Sequence, residues 1–296
     1  MDLKRLLSQL DIAADWVGLR YVEEKTSYRW VRDGQPQANQ RDLSVGIMVE
    51  VLVQGQFAYH ATTRLDPASV QQAAESAVAL ARDAARYSVF QFTQAARPAN
   101  TGSYRSAYTQ AEDRLSAGAL NQLLIRATEQ LKVSDKIVSA NAMAQIVRSE
   151  QLFVSSNGSD IEQQFLMVSA DYNALAQQGS IVQKRSDSGM LAKSWQIGME
   201  VFAEEAVLER CNQVGEEAVE LLSAEECPNQ TLDLLLAPDQ MMLQIHETVG
   251  HPLELDRILG DERNYAGSSF VRQSDFGRLQ YGSELMNITF DPGVEH

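Results

Sequence analysis

Cysteine is nearly absent. Cys211 and Cys227 are the only two among 296 residues, too few for a disulfide framework, so a reducing, cytoplasmic setting is expected. No apolar run approaches the roughly 20 residues needed to cross a bilayer, so no membrane partner is expected. The start, Met1-Asp-Leu-Lys-Arg-Leu-Leu-Ser, is amphipathic and lacks the continuous apolar stretch and small-residue cleavage site of a signal peptide. Basic residues are in deficit: 25 Lys and Arg against 40 Asp and Glu give a formal charge of −15. A surface that negative repels phosphate backbones, and no Lys/Arg cluster interleaved with aromatics offsets it. Direct nucleic-acid binding is therefore not expected. Also missing are a Gly-x-Ser-x-Gly elbow, a Walker-type phosphate loop, a repeat of fixed period and a low-complexity tract.

What remains is an ordinary core-forming composition, 44% hydrophobic and 22% charged, long enough for two domains. The pattern predicts a helix over 3–16, an extended segment over 17–31 and a turn at Arg32-Asp33-Gly34-Gln35-Pro36. A buried strand at 43–53 then turns back through Gln54-Gly55-Gln56. Asp66-Pro67 opens an Ala-rich helix to about Tyr87, with Asp66 as cap and Pro67 at its first position. Residues 88–112 read as a connection, followed by a helix over 117–131. Strands are expected at 136–144, 146–155 and 161–174, with Asn157-Gly158 as a hairpin turn, and a short one at 181–184. A helix over 197–222 closes this region. Beyond it come a short apolar strand at 231–236, a helix begun by Pro238, and a strand near Ile288.

The expected fold is α+β: an N-terminal region of mixed sheets flanked by helices, then the beginning of a β-rich second domain. The expected boundaries are 1–228, with subregions of about 1–110 and 111–228, and 229–296.

One segment carries chemistry. Ile245-His246-Glu247-Thr248-Val249-Gly250-His251 holds the only two closely spaced histidines among four. Two neutral imidazoles can hold zinc, and a carboxylate beside them can take a proton from a water. The spacing is unusual. Ligands at i and i+4 lie about 40° apart around a regular helix, whereas i and i+5 lie about 140° apart. Both cannot reach one ion from an undistorted helix, so a π-type turn or a helix end is predicted at 249–251. Gly250 relaxes backbone limits there and Pro252 disfavours αR geometry at His251. Met241, Met242, Ile245 and Val249 form an apolar stripe able to face the core while His246 and Glu247 face a cleft.

Read onward, His246-Glu-Thr-Val-Gly-His-Pro-Leu-Glu-Leu-Asp256 resembles the signature of the TldD/PmbA peptidase family, once named modulators of DNA gyrase. In that family His-Glu-x-x-Gly-His precedes a Leu-Glu-x-Asp stretch, here Leu253-Glu254-Leu255-Asp256. The N-terminal helix, the Gly-containing strand ending at Gly55 and the Ala-rich helix opened by Leu65-Asp66-Pro67 extend the likeness over essentially the whole chain. Only the helix motif is highly specific.

The resemblance implies a zinc-dependent peptidase acting on unfolded or extended peptides bound as an added strand. It implies a homodimer, or a heterodimer with a PmbA/TldE-like subunit. His246 and His251 would bind Zn²⁺ and Glu247 would be the general base; Glu254 and Asp256 read equally as carboxylates that orient an imidazole or as ordinary solvated groups on the next turn. It also implies a third ligand, a cysteine, far downstream in the C-terminal domain. That makes 229–296 the start of a truncated metallopeptidase domain, and the chain alone is expected to be inactive. Cys211 and Cys227 do not match that ligand; Cys211 reads as a small core residue. Arg257, Asp261, Glu262 and Arg263 read as a surface network, and His60 as a packing or surface residue. The competing reading is a non-catalytic partner or regulatory subunit of such a complex. Retention of Glu247 argues against it.

Overall fold

The computed structural model describes residues 1–88, 90–189 and 193–291. The chain forms two compact units, one spanning Met1–Ser223 and one beginning at Ala224.

The first unit is built on very long strands. β1 (Trp16–Arg32) and β2 (Gln35–Val53) form a hairpin turned at Asp33-Gly34, both of which have positive φ. β3 (Gln56–Thr62) turns back on β2. After α2 (Pro67–Ala85), β4 (Thr101–Arg105) and α3 (Ala117–Gln130) come two further long strands, β5 (Ile137–Ser155) and β6 (Asp160–Gln178). All belong to one eight-stranded sheet in the order β3-β2-β1-β5-β6-β4. The β1–β5 ladder, from Gly18↔Ser155 to Arg32↔Asn141, joins the two expected subregions into that sheet. Pairing is antiparallel except for β4, which runs parallel to β6. Along its free edge β6 also pairs with β8 (Ser194–Trp195) and β7 (Ile181–Ser186). The α+β class therefore holds, with one sheet in place of several.

Strand alternation explains where the helices sit. Val17, Leu19 and Tyr21 of β1 share a face with Ile47, Val49, Val51 and Val53 of β2, and all are buried against α1 (Leu3–Gln9) and α2. Helix α2 offers Val70, Ala73, Ala74, Ala77, Val78 and Ala81, a helical stripe of mostly small residues. On the same face, at the other end of the strands, Val31, Ala142, Ala144, Val168 and Tyr172 pack under α3 and α4 (Glu204–Glu220). Each buried Val, Leu or Ile side chain contributes on the order of 1.5–3 kcal/mol, and each Ala methyl about 0.8 kcal/mol. Between the two packs, the same face carries Lys25, Ser27, Arg29 and Arg41.

Four expectations change. Helix α1 ends at Gln9, because Trp16 is drawn into β1. That side chain is 1% exposed against Phe57 and Phe153, and its Nε1 donates to Asn157. The 88–112 connection contains β4. β5 is continuous through Gln145, where two strands were expected. Helix α4 begins at Glu204, because Met199–Phe202 is a 3₁₀ turn.

In the second unit, α5 (Pro238–Ile245) leads into a π turn (His246–Gly250), a 3₁₀ turn (His251–Leu253) and α6 (Leu255–Leu259), which ends at left-handed Gly260. The strands expected at 231–236 and near Ile288 form no ladder among the described residues. An apolar segment becomes a strand only when a neighbour takes its N–H and C=O groups, and Leu232, Leu234 and Leu235 remain exposed. The described part of this unit is thus helical turns and loops rather than β-rich. The apolar stripe of α5 is likewise uncovered. Met241 and Met242 are exposed, and Val271 is the one fully buried hydrophobic residue described in this unit.

Candidate metal centre

Pro238 starts α5 at its first helical position, where a missing N–H costs nothing. The helix stays regular to Ile245 and then widens. The N–H of His251 donates to the carbonyl of His246, a five-residue step in place of four. A turn that closes after five residues stacks its first and last side chains, as an α-turn stacks residues four apart. The predicted distortion is present, and it is a π turn.

Its cause differs from the expectation. His251 lies in the αR region (φ −59°, ψ −44°), so Pro252 does not displace it. Gly250 is also αR, at φ −57° and ψ −64°, and a Cβ there would come no closer than 4.0 Å to the Ile245 carbonyl. Glycine's freedom goes unused. Pro252 acts by lacking an N–H and by crowding the carbonyl four residues back, that of Thr248. That carbonyl turns to accept from the Tyr281 hydroxyl, while Thr248 Oγ1 donates to Gln244 O at 2.6 Å.

The result is a convergent cluster. The rings of His246 and His251 stand edge to face with centroids 4.5 Å apart. Glu247 lies between them, its oxygens 4.0 Å from His246 Nε2 and 3.8 Å from His251 Nε2. One ligand-capable atom from each of the three lies within 4.8 Å of the other two. His246 and Glu247 are well exposed, at 60% and 58%, and His251 is half-buried at 31%.

A second layer fixes one ring. Glu254 Oε1 is 2.7 Å from His251 Nδ1, which places a proton on Nδ1 and leaves the Nε2 lone pair free. The bond from His251, followed by that from Arg257, holds the Glu254 carboxyl below its usual range. Arg257 Nε binds the other Glu254 oxygen, and its Nη1 donates to Ala266 O at 2.8 Å. Its Nη2 lies 3.3 Å from His251 Nδ1; both carry protons in this tautomer, so that contact is not a hydrogen bond. Asp256 stands apart and its Oδ1 accepts from the Arg257 N–H. Arg257, expected on a surface network, belongs to this layer. The three-residue spacing His251, Glu254, Arg257 was its available signal. Nothing local in the sequence marked Tyr281.

Within the second unit Cys227 is not among the clustered residues. Cys211 is fully buried on α4, and burial pushes its thiol up to about 12. Cys227 is exposed. His60 is exposed on β3. The donor set, two imidazole nitrogens with a carboxylate, suits a divalent metal of the zinc type.

The chain matches the family models described as PmbA/TldA metallopeptidase domain 1 over residues 17–81 and PmbA/TldA metallopeptidase central domain over 110–224. Apart from residue 224, both matches lie in the first unit. A protein named metalloprotease from Methanothermobacter thermautotrophicus is 26% identical over 295 residues, covering 99% of this chain and 60% of that protein. Among solved structures, a protein described as a modulator of DNA gyrase from Thermotoga maritima aligns with TM-score 0.55 and 14% identity, covering 72% of this chain and 46% of its own. TldE from Thermococcus kodakarensis aligns with TM-score 0.53 and 13% identity, covering 72% and 47%. At those identities the likeness is one of fold. The chain spans about half to three-fifths of the length of these relatives. No described helix is long and apolar enough to cross a membrane.

Proposed function

Since the chain belongs to the TldD/PmbA metallopeptidase family, we propose that it carries the metal-binding and proton-transfer elements of a zinc peptidase, in the active branch of that family. His246 and His251 would hold the ion through neutral imidazole nitrogens, with His251 kept in its Nε2-binding tautomer by Glu254. A zinc ion bound there supplies Lewis-acid polarisation of the scissile carbonyl. Glu247, next in sequence to one imidazole and facing both, takes the proton of the attacking water and delivers it to the departing amine. The family's third ligand would come from a cysteine outside these residues. Substrates would be extended or unfolded peptides, recognised through main-chain hydrogen bonds that are largely independent of side chains. The working assembly would be a homodimer, or a heterodimer with a related subunit, in the cytoplasm.

The π turn is the observation that carries this reading, because only there do side chains five residues apart share one space. The test is hydrolysis of an unfolded peptide by the protein expressed from its full reading frame, with and without Glu247→Gln. Loss of a proton acceptor should cost about 10²–10⁴-fold in rate while bound zinc is kept. Equal metal-dependent activity in both proteins would remove Glu247 from the mechanism.

A further inference from the structure

Midway along the sheet, between the α1/α2 pack and the α3/α4 pack, lies a cavity of about 500 Å³. Arg29 lines it and is only 3% exposed, yet no carboxylate pairs with it among the described residues. Its Nη1 donates to Asn39 Oδ1, its Nη2 lies 3.4 Å from Ser27 Oγ, and its Nε has no partner at all. Arg41 lines the same cavity and has no carboxylate partner among the described residues either. The register places Ser27 opposite Arg41 and Arg29 opposite Asn39, so the two arginines are diagonal neighbours on one face, about 7–8 Å apart. Burial, and then the charge of Arg41, lower the basicity of Arg29. A buried guanidinium beside a second one, with no counter-charge, is an arrangement a fold keeps at a cost.

The other charges of the cavity do not supply that counter-charge. Glu112 is paired to Arg148 at 3.0 Å, and Lys25 to Glu23 at 2.6 Å. Asp42 and Asp113 line the cavity without reaching either guanidinium. The first turn of α3 opens onto it at Ser116 and Ala117 and carries no acidic residue. Ser116 Oγ takes the Ala119 N–H, leaving those of Ala117 and Gly118 as the outward donors of a 14-residue helix. The remaining wall includes Leu43, Leu115, Leu120 and Ile146.

We propose that this cavity is an anion site in which Arg29 and Arg41 take the carboxylate of a small organic acid whose apolar part lies against Leu115, Leu120 and Ile146. The C-terminal residue of a short peptide has that chemistry. The site does not depend on the metal centre or on the peptidase reading. The test is calorimetric titration of the whole protein with N-acetylleucine, N-acetylleucine amide and inorganic phosphate. The acid should bind saturably, and the amide and phosphate each at least about tenfold more weakly, a difference of about 1.4 kcal/mol. Arg41→Gln, at an exposed position, should weaken the acid by at least about tenfold, and Arg29→Met should abolish its binding. Should Arg29→Met fail to fold, Arg41→Gln decides alone. Absence of binding, equal binding of acid and amide, or an unchanged affinity in Arg41→Gln overturns the proposal. Phosphate binding as tightly as the acid overturns the organic-acid assignment.

Discussion

Glu200 offers a prediction that can be worked through quantitatively. It sits in the 3₁₀ turn before α4, and its two oxygens accept the N–H groups of Thr109 at 3.0 Å and Gln110 at 2.9 Å. The neighbouring Met199 N–H donates to the Gln110 carbonyl at 2.9 Å. A Cβ on Gly198 would fall 1.9 Å from that carbonyl oxygen, so the two segments are in backbone contact. Burial raises the carboxyl's pKa. The backbone donors of Thr109, Glu200 itself, Gly198 and Gln110 outweigh that and bring it from 4.5 to about 2. At 1.36 kcal/mol per unit, the ionised carboxylate contributes at most about 3 kcal/mol. The folded value is depressed, so this stabilisation is complete above the unfolded pKa and is lost as pH falls toward 2. Glu200→Gln keeps one acceptor and removes the charge. By urea unfolding at neutral pH it should be about 2–3 kcal/mol less stable than wild type. The gap should close as both proteins are measured at successively lower pH below about 4.5. A gap that stays constant through that window would refute the charge-to-backbone account.

Further outcomes bear on the metal centre. Gly250→Ala should leave zinc content and activity unchanged and should not lower the melting temperature. Its backbone is αR with room for a methyl group, and Ala gains about 1 kcal/mol over Gly in a helix; a large loss would show that the π turn does need glycine. Glu254→Ala should lower zinc affinity by about 10–100-fold in a competition titration, because the His251 tautomer is then no longer fixed. Asp256→Ala, whose carboxylate caps Arg257 instead, should change affinity far less.

The legible parts of this molecule were those set by neighbours in sequence. The Asp66-Pro67 start of α2, the turn at Asn157-Gly158 and the distortion between His246 and His251 all follow from a few adjacent residues. Elements decided by distant partners were hidden. β4 exists because residues 160–164 offer an edge to 101–105, and α1 stops short because the Trp16 side chain has a slot between Phe57 and Phe153. The apolar run at 231–236 shows the converse, strand-like composition with no strand paired to it among the described residues. At the candidate metal centre the convergence of His246 and His251 could be read from spacing, whereas the mechanism of the turn could not. Gly250 invited a backbone argument that its ordinary φ and ψ do not support, and the carbonyl released by Pro252 finds its donor in Tyr281, 33 residues beyond Thr248.

The most direct test of the metal centre is X-ray absorption at the zinc edge on the protein expressed from its full reading frame. The proposed site requires two imidazole nitrogens at about 2.0–2.1 Å, one of them lost in His246→Ala and one in His251→Ala. A zinc shell without imidazole, or one unchanged in both variants, would contradict it.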